Sequence, residues 1–219
     1  MRLLLIVGVT LMIAGTAWAL LGAPTEAVQG FPQRIMYVHV PAVLTAYLAL
    51  LLVFAGSVLF LWRRDARWDR LAHASAELGV LFISMTLFSG AIWGKPVWGT
   101  WWTWDARLTT TLVLWFIYVG YLIVRSWAPG SRGARAAAVI GIVGVLDIPL
   151  IHWSAILLRT LHPQPTVFRP EGPALPASML APLAVNLVAF LAIFAALLSL
   201  RVRQERALDR LVEALEGGA

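Results

Sequence analysis

The chain contains no cysteine, so disulfides and thiolate metal sites are excluded at the outset. Charge is scarce as well. Only 13% of its 219 residues are Asp, Glu, Lys or Arg, and 11 acidic residues face 17 basic ones. No glycine-rich nucleotide loop, internal repeat, low-complexity tract or soluble linker breaks the sequence. What remains is 60% hydrophobic with a mean hydropathy of +0.81, the composition of an integral membrane protein rather than a soluble domain. A net charge of +6 could suit nucleic acid. The basic residues flank apolar runs, however, which is how membrane proteins set their orientation.

A transmembrane helix needs about 20 mostly apolar residues. Six runs qualify, at 3–21, 40–62, 74–92, 109–124, 136–158 and 179–200. The fourth is short and borrows Ala106–Leu108 from the loop before it. The chain is too short for a six-span bundle plus a large soluble domain, so residues 1–219 form a single all-α membrane domain. Arg2, the first run and Ala17-Trp18-Ala19 also resemble a signal peptide; the single leading charge and the length of the run favour a retained span. The tail, 201–219, sets Val202, Leu208, Leu211, Val212 and Leu215 along one face among charges. It reads as an amphipathic helix that either lies along the membrane surface or docks a partner.

Five of the 11 tryptophans fall in one stretch, Trp93-Gly-Lys-Pro-Val-Trp98-Gly-Thr-Trp101-Trp102-Thr-Trp104-Asp-Ala-Arg107. It reads as a membrane-edge loop over 93–108. Interfacial tryptophan can simply anchor a protein; a dense aromatic platform with polar handles also suits a large, flat, amphiphilic ligand. Trp98 and Trp102 are four apart and Trp101 and Trp104 three apart, so a helical loop would share their rings on one surface. Gly94, Pro96 and Gly99 predict an interrupted helix before it.

Of four histidines, His73 lies in an Arg-rich loop and reads as solvated. His39 opens the second span, where Pro41 is tolerated in a first turn. His162 follows the fifth span. A single interfacial histidine is usually structural, but two at one depth flanking the tryptophans suit axial ligands of a metal in a flat macrocycle. His152 reads as a buried histidine bonded to a neighbouring helix. Asp147 lies near mid-membrane, either as a packing group or as a functional carboxylate. Pro149 frees the carbonyl of Val145 and predicts a kink.

The stretch Trp93-Gly94-Lys95-Pro96-Val97-Trp98-Gly99-Thr100-Trp101-Trp102-Thr103-Trp104-Asp105-Ala106-Arg107-Leu108-Thr109 closely resembles the WWD signature of haem-handling membrane proteins, and most of all the cytochrome c maturation protein C (CcmC) family. Arg34-Ile35-Met36-Tyr37-Val38-His39-Val40-Pro41-Ala42, Pro149-Leu150-Ile151-His152-Trp153-Ser154 and Arg159-Thr160-Leu161-His162 are similar to that family's second and fifth spans. The resemblance covers about residues 33–162. It implies haem b held at the outer face of the inner membrane between His39 and His162, against Trp98, Trp101, Trp102 and Trp104, for c-type cytochrome assembly. It also implies transfer to a membrane-anchored periplasmic haem chaperone (CcmE-like), beside an ABC transporter ATPase and membrane subunit (CcmA/CcmB-like) and a small single-span protein (CcmD-like). A propionate would then meet Arg107 or Lys95, while Asp105 would hold Arg107 or cap the next helix. Where the family often has two aromatics before the final histidine motif, this chain has Leu157-Leu158.

On this reading the protein is a binding and transfer protein rather than an enzyme. One alternative is a haem lyase of the CcsA/CcmF kind. Another is a small-solute or proton transporter using Asp147 and His152, although paired broken helices and repeats, the usual transporter signs, are missing from the sequence.

With the N-terminus inside, twelve basic residues lie on the inner side: Arg2, Arg63, Arg64, Arg67, Arg70, Arg125, Arg132, Arg135, Arg201, Arg203, Arg206 and Arg210. Arg34, Lys95, Arg107, Arg159 and Arg169 lie outside. The expected topology is therefore N-in, C-in, with the tryptophan loop facing out. A phosphatase that is active only outside the cytoplasm, fused after Ala219, should stay silent; activity there would reverse the orientation.

Overall fold

Hydrocarbon offers no partners to backbone amides, so each apolar run must satisfy its own, and an α-helix does this within one segment. The computed structural model describes residues 1–128, 130–158, 160–162, 166–167, 169 and 171–216. Arg159, counted above among the outer basic residues, falls outside the described residues, as does the end of the tail, 217–219. The helices are α1 (Arg2–Leu21), α2 (Met36–Arg63), α3 (Ala66–Trp98), α4 (Ala106–Trp127), α5 (Ser131–Gly144), α6 (Asp147–Leu157) and α7 (Ala177–Glu216), with a 3-10 turn, Phe31–Ile35, leading into α2. They make six segments long and apolar enough to cross a membrane, with α5 and α6 sharing one. The chain is a multi-pass membrane protein with six spans, as the apolar runs predict, and α4 does begin at Ala106. Large apolar side chains such as Leu3, Ile13, Phe88, Phe116 and Val143 are exposed around the bundle, as a lipid-facing surface requires.

Packing uses small residues. Ala42, Ala46, Ala49 and Val53 of α2 and Ala72 and Ala76 of α3 are almost completely buried, a spacing that lets two helix backbones close on each other where lipid gives no hydrophobic drive for association. α1 packs on α7 in the same way: a Cβ on Gly8 would come 2.7 Å from Ile193 Cγ1. Thr16 donates to Asn186 Oδ1 at 3.2 Å, and the buried Asn186 amide donates to the Pro182 carbonyl at 2.9 Å, so this mid-bundle amide is satisfied.

Several local readings change. The fifth span breaks at Val145–Leu146, as Pro149 predicts, but the Val145 carbonyl is not left free, because Ile148 donates to it at 3.1 Å. Pro41 lies in the second turn of α2 rather than the first, since the helix begins at Met36. His152 is exposed on α6 instead of buried: five residues from Asp147, it points about 140° away from it around the helix.

His73 is not in a loop. α3 begins at Ala66, which places His73 on its buried side with 18% of its side chain exposed, 3.8 Å from Glu77 and 3.4 Å from Glu205. Around it Arg201 pairs with Glu77 and with Glu205 at 2.8 Å, Arg125 with Asp69 at 3.0 Å, and Arg70 with Asp209 at 2.6 Å. These pairs tie α3, α4 and α7 together at the end of the bundle that carries both chain termini. The tail is a direct continuation of α7, whose 40 residues span about 60 Å, roughly twice the hydrocarbon thickness. Held to α3 by the Arg70–Asp209 pair, it runs on in line with the span instead of folding flat, and it exposes Leu208, Leu211 and Leu215.

Candidate functional site

At the opposite end, α3 runs on past the predicted span and through Gly94 and Pro96 before it stops. Proline forfeits one helical bond there without ending the helix, and the terminus is set by Gly99 at φ 79°, whose N–H closes on the Lys95 carbonyl at 3.0 Å. Gly94 has a separate role: a Cβ there would lie 2.9 Å from Trp98 Cε3, so the missing side chain is what lets the Trp98 indole fold back along its own helix. Trp93 and Trp98 are therefore helical residues, and the true loop is 99–105.

That loop is not helical, so its tryptophans do not share one face by helical spacing. Thr100 Oγ1 donates to the Trp102 carbonyl at 3.0 Å, and the Trp102 and Trp104 rings meet edge to face at 5.6 Å. Asp105 ends the loop by capping α4: one carboxylate oxygen accepts from Leu108 N at 3.0 Å and the other from Thr103 Oγ1 at 3.2 Å. Of the two roles expected for Asp105 the structure shows the cap; among the described residues no ion pair joins it to Arg107.

These elements line an open recess whose empty space, counted out to its mouth and the solvent there, is ≈ 930 Å³. α2 contributes His39, Val43, Ala46 and Tyr47, and α3 contributes a stripe from Ile83 to Trp98 that includes Thr86, Gly90, Trp93 and Gly94. Trp102 comes from the loop and Arg107, Thr111 and Leu114 from α4, while Ile151 of α6, Gln29 and His162 complete the wall. From His39 to Tyr47 the lining descends two turns, about 12 Å. The site is thus a recess between helices and not a flat platform across the membrane face.

The recess brings together His39, His162, Trp98, Trp102 and Arg107. It leaves out Trp101 and Trp104, which are 58% and 76% exposed beyond its rim. Lys95 is exposed and donates to the Gly99 carbonyl at 2.9 Å, so among the described residues Arg107 is the lysine or arginine that lines the wall. Leu157 and Leu158 are exposed as well. The His39 ring packs edge-on against Trp93 at 5.7 Å and bonds to Ser89 Oγ at 3.0 Å; Trp98 stands 6.4 Å from the His162 ring. Two half-buried lining residues each carry a buried nitrogen with no hydrogen-bond partner among the described residues, Arg107 Nη1 and Trp102 Nε1. Unsatisfied donors on an apolar wall mark where a ligand acceptor would be bound most strongly.

Gln29, Tyr47, Thr86, Ser89 and Trp93 were missed as site residues. Tyr47 had a signal, since His39, Val43 and Tyr47 recur every four residues on one helix face. The stripe Ile83, Thr86, Leu87, Gly90, Gly94 and Val97 on α3 carried the same periodicity. Gln29, held to Trp93 Nε1 at 2.9 Å, had none, because a long-range bond from a loop leaves no local pattern.

A family model described as CcmC, heme exporter protein C, matches residues 1–215. Similar proteins include the heme exporter protein C of Haemophilus influenzae, 38% identical over 198 residues that cover 89% of this chain and 80% of that protein. That of Bradyrhizobium diazoefficiens is 38% identical over 196 residues, 89% of this chain and 74% of its own length. That of Escherichia coli K12 is 34% identical over 202 residues, 91% and 81% respectively.

Because Asp105 both starts α4 and closes the loop, Asp105→Ala should cost about 1 kcal/mol of stability, the usual worth of an N-cap, while Asp105→Asn should cost a few tenths. Unfolding midpoints in detergent would show it; equal losses for the two would mean that the charge, and not the cap, is what matters.

Proposed function

The chain belongs to the heme exporter protein C family, and we propose that it binds haem b in the recess at the tryptophan end of its bundle and hands it on during c-type cytochrome assembly. The observation that supports this most directly is that two histidines, His39 and His162, line one apolar cavity together with an arginine whose Nη1 is buried without a partner among the described residues. Imidazoles from two different segments can ligate iron from opposite sides. The apolar lining and Trp98 and Trp102 suit the macrocycle, and the free Nη1 of Arg107 suits a propionate, a charge-assisted pair in a dry site.

The recipient we propose is a membrane-anchored periplasmic haem chaperone of the CcmE kind. Its approach would be from the outer face, where Trp101 and Trp104 stand exposed on the rim. A CcmA/CcmB-like ATPase and membrane subunit and a CcmD-like single-span protein would complete the assembly at the inner membrane. The transporter alternative finds little support: Asp147 is buried and His152 exposed on another face of α6, so the two build no common site.

Loaded with haem in detergent, the full chain should give a six-coordinate, low-spin Soret spectrum. His39→Ala and His162→Ala should each convert it to a mixed or high-spin form, and added imidazole should restore part of the low-spin signal. If both variants keep the native spectrum, the histidines are structural and the reading is wrong.

The rim makes a separate prediction. Trp101→Ala with Trp104→Ala should leave the haem spectrum as it is and slow transfer to the chaperone at least tenfold, whereas Trp102→Ala should weaken haem retention itself. Unchanged transfer in the rim variant would reduce those two tryptophans to membrane anchors.

A further inference from the structure

His39 is held on three sides by α3. Trp93 packs on its ring, a Cβ on Gly90 would come 3.2 Å from its Cε1, and Ser89 Oγ lies 3.0 Å from its Nδ1. The Ser89 hydroxyl is in turn 2.6 Å from the Met85 carbonyl and 3.3 Å from the Thr86 carbonyl. Two oxygens 2.6 Å apart need a proton between them, and a carbonyl has none to give. The single proton of Ser89 is therefore spent on its own helix, as is usual for serine one turn on from a carbonyl. Towards His39 the oxygen can only accept.

We infer that Ser89 is the positioning residue of His39: by accepting from Nδ1–H it fixes the imidazole as the Nδ1-protonated tautomer, so that Nε2 keeps its lone pair and is the nitrogen available to the cavity. The consequence for iron rests on the haem-binding reading above; the tautomer does not. A histidine ligand needs its second nitrogen tied in this way, or its ring orientation and protonated edge are left to chance. A serine whose proton is already committed supplies a neutral, one-way acceptor, which orients the ring without adding a negative charge inside the bundle. The absence of a side chain at Gly90 completes the arrangement, since a Cβ there would press on Cε1 from the same helix.

Two measurements separate this inference from the haem reading. In full-length protein labelled with ¹⁵N-histidine and free of haem, the His39 signals, assigned by their loss in His39→Ala, should show a protonated Nδ1 and an unprotonated Nε2. Ser89→Ala should turn this into a tautomer mixture, and Ser89→Thr, which keeps the hydroxyl, should restore it. A wild-type His39 protonated at Nε2, or a Ser89→Ala variant with an unchanged tautomer, overturns the assignment whatever haem does. Haem titration then reads the consequence: Ser89→Ala should bind about tenfold more weakly, the lower end of what losing the hydrogen-bond partner of a ligating histidine costs, with part of its low-spin signal converted to high-spin and Ser89→Thr close to wild type. If Ser89→Ala matches wild type in affinity and spin state while His39→Ala has lost the low-spin form, the role of Ser89 towards the iron is refuted and the haem site stands. If wild type itself takes up no haem, the haem reading fails and the tautomer result stands by itself.

Discussion

Everything in this bundle follows from the absence of water around its spans: a polar group there either finds a partner within the protein or is held in readiness for something else. Most find one nearby. Ser84, Thr86, Thr110, Thr111 and Ser154 each return their hydroxyl to a carbonyl one turn back, and Trp115 donates to Ser84 at 2.8 Å. Against that background the buried polar atoms left without partners among the described residues stand out. Arg107 Nη1 and Trp102 Nε1 are among them, on two residues that line the recess. Leaving that guanidinium nitrogen without a partner is costly, and a bound anion would relieve that cost.

The same constraint explains why the recess is at one end. Alanines along α2 and α3 bring the two backbones close, and this contact carries the His39 ring against Ser89, Gly90 and Trp93. The ion pairs among α3, α4 and α7 gather at the other end, where charged side chains can be matched in a half-wet environment. One end of the bundle is fastened electrostatically, while the other is lined with rings and kept open.

Span count, the start of α4, the kink in the fifth span and the capping role of Asp105 were legible in the sequence, because each depends on a local pattern: an apolar run, a proline, a residue followed by helix formers. The ends of α3 were not. Its continuation through Gly94 and Pro96 depends on Trp98 folding onto Gly94 and on Gly99 supplying a left-handed cap, and tertiary fit of this kind overrides the usual reading of glycine and proline. His73 was misplaced for the same reason, since charges at a membrane edge look like a loop until a second helix presents their partners. The cluster of tryptophans pointed to the end of the bundle where the recess lies but concealed its shape; Trp101 and Trp104 are exposed, and the recess is built largely from the spans.

The break in the fifth span ties these observations together. α5 packs on both α2 and α4, whereas α6 packs chiefly on α4, so beyond Val145–Leu146 the span turns away from α2. That divergence leaves the gap that His39, Trp98, Arg107 and Ile151 line. Asp147 sits in the first turn of α6, buried, where the positive end of the helix dipole favours a carboxylate and offsets part of its burial cost. A buried acid in mid-membrane usually signals transport; here its position at the new helix start gives it a structural reason. The kink gives the recess its volume, and the chain beyond α6 returns His162 to its lining. Two histidines far apart in sequence therefore line one recess, opened by a single bend beside Pro149 in an otherwise close-packed bundle.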